Sequence, residues 1–81
     1  MNTEKKNIFE DTSISLRAKG LYGTILFFKD DPCFSKKFLF EHLDVKRHSF
    51  RMAWNELKEN GYLEVNRVLE KGKFEYQYKL N

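Results

Sequence analysis

At 81 residues, with 41% hydrophobic and 33% charged side chains, the chain has the length and composition of one soluble globular domain, and no apolar run approaches the ~20 residues of a membrane helix. A domain this short buries only ~60–65% of its unfolded surface, which leaves too little interior for an enclosed active site. An enzyme, a cofactor and a small-molecule substrate are therefore not expected. The net charge of +3 lies wholly in the second half, because residues 1–45 hold seven Lys/Arg against seven Asp/Glu and residues 46–81 hold eight against five. Such asymmetry points to a polyanionic partner.

Thirteen aromatic residues enlarge what so short a chain can bury, since each ring covers ~150–250 Å². The single Cys33 cannot form an internal disulfide, and beside Phe34 it reads as a small core residue. The polar start from Met1 to Asn7 lacks a signal-peptide core, so the expected location is cytoplasmic.

Taken in chain order, residues 1–10 read as a flexible N-terminal segment that Ile8 and Phe9 could pin to the core, and residues 11–81 as one domain. Ser15 is an N-cap for a first helix, Leu16 to Phe28. Leu16, Gly20, Gly23 and Phe27 share one face of it, and Leu21, Ile25 and Phe28 form an adjoining stripe. Two glycines inside a helix cost ~1 kcal/mol each relative to alanine, and close approach of a neighbouring helix is the expected return. The helix must stop before Asp30-Asp31-Pro32, because the residue before a proline is pushed out of the α region. Cys33-Phe34 reads as an extended link that could add a short strand.

Ser35 then caps a second helix, Lys36 to about His42, which offers Phe38, Leu39 and Leu43 to the core. After a tight Asp44-Val45 connection, a third helix runs from about Lys46 or Arg47 to Asn60. Its Phe50, Ala53, Trp54 and Leu57 recur at i, i+3, i+4 and i+7, and its opposite face carries Arg47, Arg51, Asn55 and Lys58. Lys46 stands where Ser, Thr or Asp would cap, so this helix start should be poorly capped. Gly61 suits the left-handed residue that ends a helix. The remainder is a hairpin: Leu63 to Leu69, a turn at Glu70-Lys71-Gly72-Lys73, then Phe74, Tyr76, Tyr78 and Leu80 alternating with polar residues. The fold class is α+β, with three helices followed by a two-stranded hairpin.

The run from Leu43 to Phe50, followed by Trp54 to Leu63, resembles bacterial winged helix-turn-helix domains: a Leu-x-Val turn, a polar helix start, then Leu-x-x-x-Gly-Tyr-Leu entering the wing. Ser15 to Tyr22 is similar to the first helix of such domains in phage replisome organisers and plasmid replication initiators. Together these likenesses cover residues 12–81. They imply sequence-specific binding of double-stranded DNA, in replication initiation or transcriptional control of a phage or plasmid. In such domains the third helix enters the major groove, which here offers Lys46, Arg47, His48, Ser49, Arg51, Met52 and Asn55 to the DNA. Arg can bond guanine twice and Asn can do the same for adenine. Arg67, Lys71 and Lys73 would serve from the wing, and Lys36 and Lys37 would take phosphates from the other side.

Other readings stand beside these. Arg51 and Asn55 could be a plain solvated helix face, and Lys71 and Lys73 could merely keep a turn soluble. His42 and His48 lack the paired spacing of a zinc site, so no metal is expected. Phe50, Trp54 and Tyr62 read as core, but Phe27, Phe28, Phe38 and Phe40 exceed what the interior holds. An aromatic surface on the first two helices, extending to Phe40 and Tyr22, would then receive a second copy of the chain or another protein. The alternative function is accordingly a winged-helix protein–protein interaction module. Glu64, Glu70 and Glu75 in the hairpin count mildly against DNA.

Overall fold

The structure, a computed structural model, describes residues 7–81. A single 3-10 turn (Ile8–Glu10) precedes helices α1 (Leu16–Phe28), α2 (Lys36–His42) and α3 (Arg47–Glu59), which are followed by strands β1 (Leu63–Glu70) and β2 (Lys73–Leu80). The strands pair antiparallel, giving the α+β winged-helix layout with the hairpin as the wing. Residues 1–6 of the expected flexible segment lie outside the described residues, whereas Ile8 is buried in the core. Among the described residues no helix is long and apolar enough to cross a membrane.

Local chemistry sets the helix ends. The Ser15 hydroxyl accepts the Ala18 N–H at 3.1 Å, and the Ser35 hydroxyl accepts that of Phe38 at 3.0 Å, each satisfying a donor the helix leaves open. Ser15 is itself held from α3: its N–H and hydroxyl donate to the two Glu56 carboxylate oxygens, both at 2.7 Å. Lys46 has no acceptor on its side chain and makes no capping bond, so α3 opens with its first N–H groups uncapped by that residue. Gly61, at φ +80°, ends it in the left-handed conformation that glycine adopts without strain.

After α1 the chain turns rather than extends. Phe34 N–H donates to the Asp31 carbonyl at 2.9 Å, and Cys33 N–H to the Asp31 carboxylate at 2.8 Å. These bonds close a turn around Pro32, so the strand considered at 33–34 does not form. The same turn carries Cys33 to the surface, where its thiol is free and exposed instead of filling the core.

The core is one cluster: Ile8 and Ile14, then Ala18, Leu21 and Ile25 of α1, Leu39 of α2, Phe50, Ala53, Trp54 and Leu57 of α3, and Leu63 of β1. Burying each large aliphatic side chain contributes roughly 1.5–3 kcal/mol. Of the two α1 stripes, the one through Leu21 and Ile25 faces inward, joined by Ala18, while Leu16 and Phe27 are 86% and 81% exposed. The α1 glycines do not admit a neighbouring helix: a Cβ at Gly20 would meet nothing within 4 Å, and one at Gly23 only Phe9 Cζ at 3.9 Å.

The hairpin turns on Lys71 (φ 52°) and Gly72 (φ 79°), two consecutive positive-φ residues as a two-residue hairpin turn of the right twist requires. Leu63 pairs with Leu80, Val65 with Tyr78, Arg67 with Tyr76 and Leu69 with Phe74, so these eight share one face. That inner face packs Leu63, Val65, Tyr78 and Leu80 against the helices. Glu64, Glu70 and Glu75 all fall on the outer face, where Glu64 opposes Lys79 and Glu70 opposes Lys73.

Candidate nucleic-acid interface

Cations collect where the start of α2 meets the outer side of α3. Arg47, Arg51 and Lys58 are spaced by four and seven residues, which places them along one edge of α3. Lys36 and Lys37 open α2 beside them. One groove of about 680 Å³ is lined by Lys36, Lys37, Phe40, Glu41, Arg47, Phe50 and Arg51. A second, of about 380 Å³, continues through Lys36 to Trp54, Lys58 and the wing residues Val65, Tyr76 and Tyr78. Among the described residues Glu41 is the one acid lining either groove, and it lies 4.0 Å from the Lys37 ammonium.

Aromatic rings support this strip from beneath. Lys36 Nζ sits 4.8 Å from the centre of the Trp54 ring, and the Arg47 guanidinium 5.6 Å from that of Phe40. Both are cation–π distances. Burial pushes the Lys36 ammonium below its ordinary pKa, and the positive charges of Lys58 and Arg51 push it further the same way. Like charges held this close oppose folding, and an anion laid across them would reverse the sign of that interaction. The Tyr78 hydroxyl also rises above its ordinary pKa, mainly through burial, although a backbone hydrogen bond from Lys36 works against the shift.

The residues expected to meet DNA divide into groups. Lys36, Lys37, Arg47 and Arg51 are brought together in the strip, and Arg67 lies farther out on the same side, on the inner face of the wing. His48, Met52 and Asn55 form the exposed outer ridge of α3, and Lys46 is the exposed residue ahead of it. Ser49 is separate: half-buried, it lines a groove of about 600 Å³ between α1 and α3 with Leu16, Thr24 and Val45. Lys73 is on the outer face of the wing opposite Glu70, and Lys71 is at its tip. Lys58, on the polar face of α3 but not among the residues expected to meet DNA, joins the strip, and its spacing from Arg47 and Arg51 is the signal in the sequence that includes it. Among the described residues no group of three His, Cys, Asp or Glu is placed to hold a metal ion.

The aromatic surface expected on α1 and α2 is smaller than the sequence suggests. Tyr22 is wedged edge-on between Phe9 and Tyr62, and Phe40 packs against Phe50. Phe28 and Phe38 pack on each other and on His42, which leaves Phe27 and Leu26 as the exposed apolar end of α1.

No family model, curated protein or solved structure matches the chain. The functional reading accordingly stands on the fold and on the chemistry of this surface.

Proposed function

We propose that this chain binds double-stranded DNA sequence-specifically, with α3 in the major groove, and catalyses no reaction. Its setting would be replication initiation or transcriptional control of a phage or plasmid, acting in the cytoplasm. The observation that supports this best is the strip of Lys36, Arg47, Arg51 and Lys58, with Glu41 the one acid among its described lining residues, backed by Trp54 and Phe40. Guanidinium and ammonium groups at that spacing are suited to phosphates on either side of a groove, and the ridge of His48, Met52 and Asn55 would reach base edges between them.

The test is fluorescence anisotropy of a labelled duplex titrated with protein at several salt concentrations. About six phosphate contacts would give a log–log slope of affinity on salt near −5. Micromolar or tighter binding with a steep slope supports the proposal. Absence of binding by the folded protein at low salt removes it.

A second reading, a protein–protein interaction module, draws on the exposed Leu26 and Phe27 at the end of α1. Sedimentation of the free protein separates the two. Self-association that Phe27→Lys abolishes, in a protein that ignores DNA, would favour the second.

A further inference from the structure

The outer half of the wing has an apolar inner face that no other described residue covers. At the base of the hairpin that face is core, but beyond Val65 and Tyr78 it continues as Leu69, Phe74 and Tyr76, which are 61%, 59% and 57% exposed. A sheet face left to solvent is commonly polar, and the apolar face is the one that packs. Here the outer face takes all three acids, Glu64, Glu70 and Glu75, while the one charged residue of the inner face is Arg67, whose guanidinium lies 4.5 Å from the centre of the Phe74 ring.

The position of this face narrows what it can receive. Tyr76 lines the same groove as Lys36 and Lys58, so the aromatic surface runs on from the cationic strip with no acid intervening among the described residues. A partner that is planar, apolar on its faces and strung on an anionic backbone matches both parts. Phe74 and Tyr76 are two residues apart on one strand, a separation of ~6.6–6.8 Å, which is close to two base-stacking steps of ~3.4 Å. Paired bases in an intact duplex do not present their faces to a side chain; unpaired bases do.

We propose that the inner face of the outer wing stacks, through Phe74 and Tyr76, on unpaired bases at a junction between single- and double-stranded DNA, with α3 holding the adjoining duplex. This rests on the duplex-binding reading above and names the form of DNA that the whole surface prefers. Arg67 would swing from the Phe74 ring to the phosphate next to the stacked base. The wing then distinguishes unpaired bases from paired ones by chemistry, not by sequence.

The experiment compares a blunt duplex, the same duplex with unpaired single-stranded arms, and the single strand alone, by anisotropy with the full chain. A 2-aminopurine at the first unpaired position reports stacking through quenching of its fluorescence. The variants are Phe74→Ser and Tyr76→Ser, whose side chains are exposed enough to be replaced without opening the core, with folding checked by circular dichroism. The expected result is roughly fivefold or tighter binding of the forked over the blunt duplex and quenching of the 2-aminopurine, since stacking one base on one ring is worth at least that factor. Both effects should fall away in the two variants, while the blunt-duplex affinity of Phe74→Ser, which lines neither cationic groove, stays within about twofold. Equal affinity of the wild-type protein for forked and blunt duplexes overturns the stacking proposal and leaves the duplex reading standing. Binding of the single strand as tightly as the fork, or of no DNA at all, overturns both.

Discussion

Single side chains on α3 should separate two kinds of contact. Asn55 stands on the outer ridge, where its amide could read an adenine edge, whereas Lys58 and Lys36 lie along the strip that would follow phosphates. Asn55→Ala should therefore relax the preference among duplex sequences while leaving the salt dependence unchanged. Lys58→Ala should weaken binding to all sequences alike and reduce the salt slope by about one. Competition anisotropy with a panel of duplexes at two salt concentrations measures both. Away from the strip, Tyr62 donates its hydroxyl proton to Asp11 at 2.5 Å, and that bond, with burial and the Asp11 charge behind it, pushes the phenol from 10.0 up to about 12. A folded-state pKa above the unfolded one means the contribution is whole below pH ~10 and is lost as pH rises through about 12. Wild-type protein should thus be more stable than Tyr62→Phe at pH 8, with the gap closing between pH 10 and 12 in urea titrations.

At the scale of elements, what could be read in advance was whatever a few adjacent residues decide. Ser15, Ser35, Pro32, Gly61 and the Lys71-Gly72 turn act through hydrogen bonds or backbone preferences within four residues, and the element ends fall where those residues put them. Failures occur where the outcome depends on a distant segment. Cys33 beside an aromatic looks like core until the Asp31 turn lifts it out, and no neighbouring residue signals that Ser49 lines a groove against α1. Gly20 is the most instructive case. A helix glycine suggests a crossing neighbour, yet nothing lies within 4 Å of where its Cβ would stand. Gly20→Ala should consequently stabilise the protein by about 1 kcal/mol and raise its Tm, because alanine restricts the unfolded chain and meets no obstacle in the folded one. Gly61→Ala should do the reverse, since φ +80° strains any residue with a Cβ. Thermal unfolding followed by circular dichroism gives both signs in one comparison.

Across the whole molecule, charge and packing are distributed in the same direction. The core occupies the helices and the base of the hairpin, and the site candidates lie along its rim and out onto the unsupported part of the wing. An isolated two-stranded hairpin is marginal in water, so β1 and β2 persist because their base is bolted to α3. Tyr78 meets Trp54 edge-on at 5.7 Å and Phe34 at 5.3 Å, and Leu63 is buried between the helices and the sheet. Among the described residues no such contact continues beyond Arg67 and Tyr76, although the strand pairing does. Stability should therefore fall along the hairpin from base to tip. Native-state hydrogen exchange should find the ladder amides near Leu63, Val65 and Leu80 protected to nearly the global unfolding free energy, and those flanking the Lys71-Gly72 turn exchanging by local opening at far lower cost. Uniform protection along the hairpin would mean that the outer wing is held by something other than its base. If the gradient is present, adding a forked duplex should protect the outer amides selectively, because a stacked base would supply the packing that the described residues do not.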